Sequence, residues 1–343
     1  MHSYRQKFII LIATAACFTG CQRQPKAPDV SHIPIQVHIA PFHHDFFSLD
    51  TTDMQKSLAT LHKQYPVFLP VYITNILGYG PYADSSHMVQ SAIRGLLSSP
   101  DVISLEKTVE QRFSDMGFAE KELTLGFRYI KYYLPSFHPP RVVTFLSGLN
   151  NYGAVTADSV LGIGLDMFLG GDFPLYKKLA DPYPDYMLRQ FSPAFMAADC
   201  FRAIHQQLFP FQADGQTLLA QMIYRGKQLY FLDKVMPGAA DSIKIGYTGQ
   251  QLKWCRDNEQ LIWQYFVQRN LLYSHDWQQI MHYIGPAPTT EDMPSDAPGD
   301  IGSWVGWQIV RKYMEEHPHV TLKDLLGQND AQALLNEAHY RPH

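Results

Sequence analysis

The chain has 343 residues, 46% of them hydrophobic, with 28 basic and 32 acidic side chains and a net charge of −4. That is enough apolar material for one large core or two closely packed ones. The near-balanced charge argues against a nucleic-acid partner, which would need clustered lysine and arginine, and no run of about twenty apolar residues is present to span a bilayer.

The N-terminus concerns address rather than fold. Arg5 and Lys7 form a basic start, Phe8 to Ala16 a short apolar run, and Phe18-Thr19-Gly20-Cys21 a small-residue cleavage site ending in cysteine. This resembles a bacterial lipoprotein signal peptide over residues 1–20, with Phe18 where leucine is more usual. Processing would leave Cys21 as an acylated N-terminus, and several chains at roughly 0.8 kcal/mol per buried CH₂ anchor a protein durably. The alternative is an ordinary signal peptide with a chance cysteine. Residues 21–32, with Pro25 and Pro28, read as a tether, and 33–343 as the folded domain. No acidic run follows Cys21, which favours an outer-membrane location facing the periplasm.

Along the domain, Ile33 to Ile39 alternates apolar and polar residues, the period of a half-buried strand that Pro34 would place at an edge. His43-His44-Asp45 reads as a polar turn, since adjacent side chains on an extended segment point to opposite sides. Thr52 or Asp53 caps a helix to about Lys63, and Pro66 to Pro70 breaks the pattern before the apolar Val71 to Leu77. Met88 to Leu97, Asp101 to Met116 and Glu120 to Leu134 read as consecutive helices. Arg141 to Leu146 and Val160 to Leu165 are expected strands, the second an edge candidate, separated by the turn Asn150-Asn151-Tyr152-Gly153. From Ser192 onward the pattern is helical, with Pro193 at a first helical position and Thr248, Ser274 and Thr321 as further caps. One helix is expected from Gly249 to about Asn270, and Gly285 to Gly299 is the longest loop. The fold class is therefore α+β, mostly helical, with a small N-terminal sheet and a large helical C-terminal half.

Strands followed by a long helix at Pro193 to Phe209 and a helical remainder is the order of zincin-type zinc peptidases. Such an enzyme needs two histidines at i and i+4 on one helix face and a glutamate to polarise water. His-Glu-x-x-His is absent from the sequence. On the helix where it would stand, Asp199 and His205 are six residues apart and fall on different faces. His205 then reads as a satisfied or exposed helix histidine, Asp199 as the partner of a nearby base. Glu259 is a charge among aromatics that would need a partner if buried, from Arg225, Lys227 or Arg311. Gly162 and Gly164 lack dinucleotide-loop spacing, and a bent edge strand explains them. Asp166 and Asp172 could hold calcium, or cap a turn. Gly-x-Ser-x-Gly and Walker loops are absent. Trp254, Trp263 and Tyr265 read as core. Apart from Cys17 and Cys21 the cysteines are Cys200 and Cys255. An exported compartment permits a bridge between them, while their apolar helical settings suit buried free thiols; with no Cys-x-x-Cys, redox chemistry has no support.

The central stretch carries a longer pattern. It runs through Lys227-x-x-Tyr230-Phe231-x-Asp233, Gly246-Tyr247-Thr248-x-x-Gln251-x-x-Trp254-Cys255-x-x-Asn258-Glu259-x-x-x-Trp263-x-Tyr265-Phe266, and Pro298-Gly299-x-x-Gly302-x-Trp304-x-Gly306-Trp307. With the lipobox, these residues resemble the gliding motility lipoprotein B (GldB) family of Bacteroidetes, over nearly the whole chain beyond the leader. That family is similar to predicted zinc peptidases with the His-Glu-x-x-His helix, so the resemblance implies a zincin-like scaffold without its metal. It also implies an envelope lipoprotein associated with gliding, attached to the membrane through Cys21 and working with envelope or motility proteins. The expectation is a non-catalytic peptide- or protein-binding component with no cofactor. The alternatives are a metal-dependent peptidase using an atypical ligand set from Asp199, His205 and Glu259, and a glycan-binding module, which the aromatic richness permits.

Overall fold

The computed structural model describes residues 27–179 and 183–342, so the expected leader and Cys21 lie outside the described residues. The packed body begins before residue 33: Val30 is buried in the main core, with Ala27 and Ile33 against it. The end of the tether expected over 21–32 therefore packs on the core, while residues 21–26 lie outside the described residues.

The strand expected at 33–39 shrinks to β1 (Ile39–Ala40). Over residues 35–39 the side chains of Glu120, Thr124 and Arg128 take backbone groups that a second strand would otherwise meet, and strand pairing, with Val142 and Val143, is confined to Ile39–Ala40. Val37 N–H donates to Thr124 Oγ1 at 3.0 Å and Ile39 N–H to Glu120 Oε1 at 2.9 Å, and Arg128 Nε donates to Ile35 O at 3.0 Å. The turn expected at His43-His44-Asp45 is a helix, α1 (Phe42–Phe47), because Phe42 and Phe46, one turn apart, both bury completely. Asp53 caps α2 (Met54–Gln64) as anticipated. α3 (Phe68–Val71) runs into a π-helical turn at Tyr72–Ile76. Pro70 does not break it, since the proline lies in the first turn, where no intrahelical N–H bond is required. Three helices follow where the apolar spacing puts them: α4 (His87–Ser98), α5 (Pro100–Arg112) and α6 (Gly117–Tyr133).

The sheet contains β2 (Arg141–Phe145), β3 (Ala154–Ala157) and β4 (Val160–Gly164), in the order β1-β2-β4-β3. β2 pairs in parallel with β1 and β4, and β3 closes an antiparallel hairpin onto β4. β4 is thus interior rather than an edge. Successive side chains of a strand face opposite ways, which divides the core in two. Val142, Leu161 and Ile163 join the main cluster, while Val143, Phe145 and Val160 join a second, aromatic cluster with Phe42, Phe46, Phe68 and Tyr72. Gly162 faces the aromatic side, where a Cβ would meet Phe68 at 2.8 Å and Phe145 at 3.0 Å. Ring packing, and not a bent edge, accounts for that glycine. Asp166 fixes the loop after β2, accepting from Ser147 N–H and Oγ and from Leu149 N–H at 2.7–2.9 Å, so it holds a turn.

The helical half comprises α7 (Asp185–Leu188), α8 (Pro193–Leu208), α9 (Leu218–Val235), α10 (Asp241–Ile245), α11 (Gly249–Asp257), α12 (Glu259–Gln268), α13 (Trp277–Ile284), α14 (Ile301–Glu316), α15 (Leu322–Gly327) and α16 (Ala331–Ala338). The single helix expected from Gly249 to Asn270 divides at Asn258, whose Nδ2 donates to Trp254 O at 2.8 Å and closes α11. Thr248 and Thr321 cap as expected, each within a capping box. Ser274 does not: Asp276 caps α13 by accepting from Gln278 and Gln279 N–H. Trp304 and Trp307 are buried where α14 meets α9, and Cys200 and Cys255 are free, buried thiols. The result is a mostly helical α+β protein.

Candidate functional site, an arginine-lined cleft

The helical half leaves a cleft of about 680 Å³ at the meeting of α7, α8, α9, the Gly246–Gln251 turn and the N-terminus of α14. Three arginines line it: Arg189 after α7, Arg202 on α8 and Arg225 on α9. Arg189 donates to Tyr247 O at 3.1 Å, and its guanidinium lies 5.7 Å from the Phe195 ring; partial burial lowers its pKa. Arg202 bonds the carboxylate of Asp199 and the carbonyl of Lys244. Arg225 forms no ion pair among the described residues; its charge is felt by Asp300.

The cleft floor is set by backbone. Gly246 closes α10 in the left-handed region at φ 85°, and a Cβ there would run into Gln190. Tyr247 Oη donates to Gly299 O at 2.7 Å, tying this turn to the segment before α14. Asp300 caps α14 with φ 58° and accepts from Ser303 Oγ. Burial raises the Asp300 carboxyl to about 7, against the opposing pull of Arg225, Ser303 and Arg202. Gln228, 3% exposed, keeps an Nε2 with no partner among the described residues. Asp199 is raised by burial and lowered again by Arg202. Three arginines thus face three carboxyl groups: Asp199, paired with Arg202, Asp185, paired with Lys177 outside the cleft, and Asp300, half protonated near neutrality. The cleft is cationic in a chain of net charge −4.

The three residues singled out on the sequence do not come together. Asp199 lines this cleft and pairs with Arg202, as its helix spacing suggested. His205 lines a separate cavity; it is fully buried with both ring nitrogens unpartnered among the described residues, so the satisfied-or-exposed reading was wrong. Glu259 lines a third cavity, and its partner is none of the bases considered but Tyr340, whose Oη donates to it at 2.7 Å. Arg311 is engaged by Asp233 and Asp241, and Lys227 by the carbonyls of Leu326 and Gln328. Elsewhere, Glu110 takes both His43 and His44, at 3.2 and 3.0 Å, and His44, Glu106 and Glu110 bring ligand-type atoms within 4.8 Å of one another. In that grouping His44 is exposed and the two glutamates are half-buried.

The cleft follows from elements that a match to known proteins spans almost entirely. The family model of the gliding motility protein GldB matches residues 23–342. The chain belongs to the GldB family. No curated protein and no solved structure matches it. As a GldB-family member it is a gliding-motility-associated lipoprotein, and the residues quoted for the resemblance gain structural reasons. Asp233 and Trp307 bond one another, Thr248 and Gln251 form a capping box, and Gly306 lets α14 touch α9. Sequence reasoning missed Arg189, Gln228 and Asp300 as cleft residues. The available signal was three arginines in otherwise apolar helical surroundings, with Gly299-Asp300 opening a helix.

Proposed function

We propose that this GldB-family protein is an outer-membrane-anchored lipoprotein facing the periplasm, held by an acylated Cys21 after removal of residues 1–20. Its domain binds an acidic peptide segment of an envelope or motility protein and does no chemistry on it. The observation that carries this reading is the cationic cleft: Arg189, Arg202 and Arg225 around about 680 Å³. Guanidinium groups take carboxylates in paired, charge-assisted hydrogen bonds. The turn at Gly246–Thr248 offers backbone beside them, the combination that suits an extended chain. Asp199, His205 and Glu259 lie in three different cavities, which gives the alternative metal-dependent peptidase no converging ligand set.

The test is fluorescence anisotropy of the purified chain with an end-blocked, fluorescein-labelled pentapeptide containing glutamates, against its glutamine counterpart. The acidic peptide should bind and the neutral one should bind much more weakly. Arg225→Ala should weaken the acidic peptide by about tenfold, in line with loss of a charge-assisted contact. Equal binding of both peptides would remove the proposal, and cleavage of either by the purified chain would remove its non-catalytic part.

A further inference from the structure

A cavity of about 510 Å³ lies between α8, α9, the 209–217 loop and the end of α15, and it shares no lining residue with the arginine cleft. His205 forms part of its wall. The imidazole packs against Phe209, Tyr224 and Phe231, with ring centroids 5.4–5.7 Å away. Burial, with the nearby charge of Lys227, pushes its pKa down to about 3, so it is neutral. A neutral imidazole always presents one N–H donor and one acceptor nitrogen. Neither is used among the described residues, and no hydrogen bond fixes the orientation of the ring.

Lys227, 7% exposed, lines the same cavity from α9. Its Nζ donates to Gln328 O at 2.7 Å and Leu326 O at 3.3 Å, carbonyls at the C-terminal end of α15. Two of its three N–H donors are thus spent on neutral acceptors. No carboxylate pairs with it among the described residues, and burial brings it down to about 8. A buried ammonium is stable when an anion balances it, and two carbonyl dipoles only begin that task. One wall is apolar and flat: Phe211 stacks on Tyr224 at 4.4 Å and 13°, with Phe209 and Ala220 beside them, while the amides Gln212, Gln216, Gln328 and Asn329 line the rest with neutral polar groups. Cavities of this volume with few, convergent polar groups are the usual form of small-molecule sites.

We propose that this cavity binds a small carboxylate with an apolar, ring-sized body, its carboxylate paired with Lys227 Nζ, its body against Phe209, Phe211 and Tyr224. The His205 ring turns within its aromatic surroundings to donate to the same carboxylate. Ligand and protein then satisfy each other: the cation gains its counter-charge and the imidazole its acceptor. This site is separate from the peptide cleft and stands or falls independently of it.

The experiment is isothermal titration of the purified full chain with 3-phenylpropanoate and with 3-phenylpropan-1-ol, which keeps the body and removes the charge. The acid should bind saturably and the alcohol at least about tenfold more weakly. Lys227→Met should cost the acid a similar factor and leave the alcohol unchanged. Because that substitution also strips contacts from α15, Ala220→Phe provides a second variant: it fills the cavity from α9 and should abolish acid binding in a chain that still melts cooperatively. Absence of acid binding, equal binding of acid and alcohol, or unchanged binding in Ala220→Phe would each overturn the proposal.

Discussion

Asp300 sits at the start of α14 with a left-handed backbone and a carboxyl raised by burial from 3.8 to about 7. Between those values the folded protein keeps a proton that the unfolded chain has released. Its contribution to stability is therefore complete below the unfolded value and lost as pH rises through about 7. Asp300→Asn should remove this dependence, because asparagine tolerates the left-handed region and can still accept from Ser303. Relative to wild type, the variant should be more stable at about pH 8 and should lose that advantage by about pH 4, as read from urea denaturation across pH. Parallel curves for the two proteins would refute the shift. The same proton bears on the cleft. With Asp300 neutral, Arg225 and Arg202 are less offset, so an acidic peptide should bind more tightly at about pH 6 than at about pH 8. Nothing in the local sequence Pro298-Gly299-Asp300 announces that carboxyl, since its pKa is raised by burial under elements distant in the chain, against the opposing pull of Arg225 and Arg202.

Helices α9 and α14 form the axis of the C-terminal half, and two features lock them. A Cβ on Gly306 would stand 1.9 Å from Met222 O, and one on Gly226 2.2 Å from Gly306 O. Backbone meets backbone there, so no side chain can yield. Gly306→Ala should cost about 3 kcal/mol, the upper end of overpacking effects, and a loss below about 1 kcal/mol in chemical denaturation would show that the contact can relax. The second lock is Asp233. It accepts from Trp307 Nε1 at 2.9 Å, Lys244 Nζ at 2.8 Å, and Arg311 Nε and NH2 at 2.8 and 2.9 Å, and the Arg311 guanidinium lies 3.7 Å from the Trp307 ring centroid. Asp233→Ala leaves the Trp307 indole without its acceptor and Lys244 and Arg311 with Asp241 as their one remaining carboxylate, and should destabilise by about 3 kcal/mol. Combined with Arg311→Ala the loss should be smaller than the sum of the single losses, since the two share one network. At this scale the sequence was informative wherever periodicity and capping decide structure: α2, α4, α5, α6, α8 and β2 stand close to where the apolar spacing and the prolines put them. It was silent where distant groups compete for the backbone. The segment 33–39 has a strand's alternation, but the N–H groups of Val37 and Ile39 go to Thr124 and Glu120 on α6, and Ile39–Ala40 alone pairs with β2. β3 is four residues of modest propensity, Ala154–Ala157, and exists because β4 offers it an edge. His205 and Glu259 were visible as unusual residues, yet their separation into different cavities depends on packing between α8, α9, α12 and the C-terminal segment, which no local pattern encodes.

For the whole molecule the question is what would hold such a body at a membrane, as proposed above. No helix among the described residues is long and apolar enough to cross one. The large exposed apolar side chains are spread over several elements, Met88 on α4 and Trp277 on α13 among them, with Leu261 and Val267 on α12 and a line of three, Phe118, Leu125 and Tyr132, on α6. Exposed apolar residues in such small groups are ordinary on protein surfaces and do not make an insertion face. Retention would then rest on the proposed acylation of Cys21, where each buried CH₂ contributes roughly 0.8 kcal/mol and more than one chain is needed for durable attachment. The packed body starts by Ala27, which contacts the main core, with Val30 buried behind it. Five residues separate Cys21 from Ala27, a reach of at most about 20 Å when fully extended. An acylated chain would thus hold its domain close against the lipid surface and restrict which partners reach the cleft. Cys21→Ser should move the protein from the membrane fraction to the soluble periplasmic fraction while leaving its melting temperature unchanged, since the body does not depend on the anchor. Membrane retention of the serine variant after a high-salt wash, which screens surface charge contacts, would show that something other than the lipid holds it there.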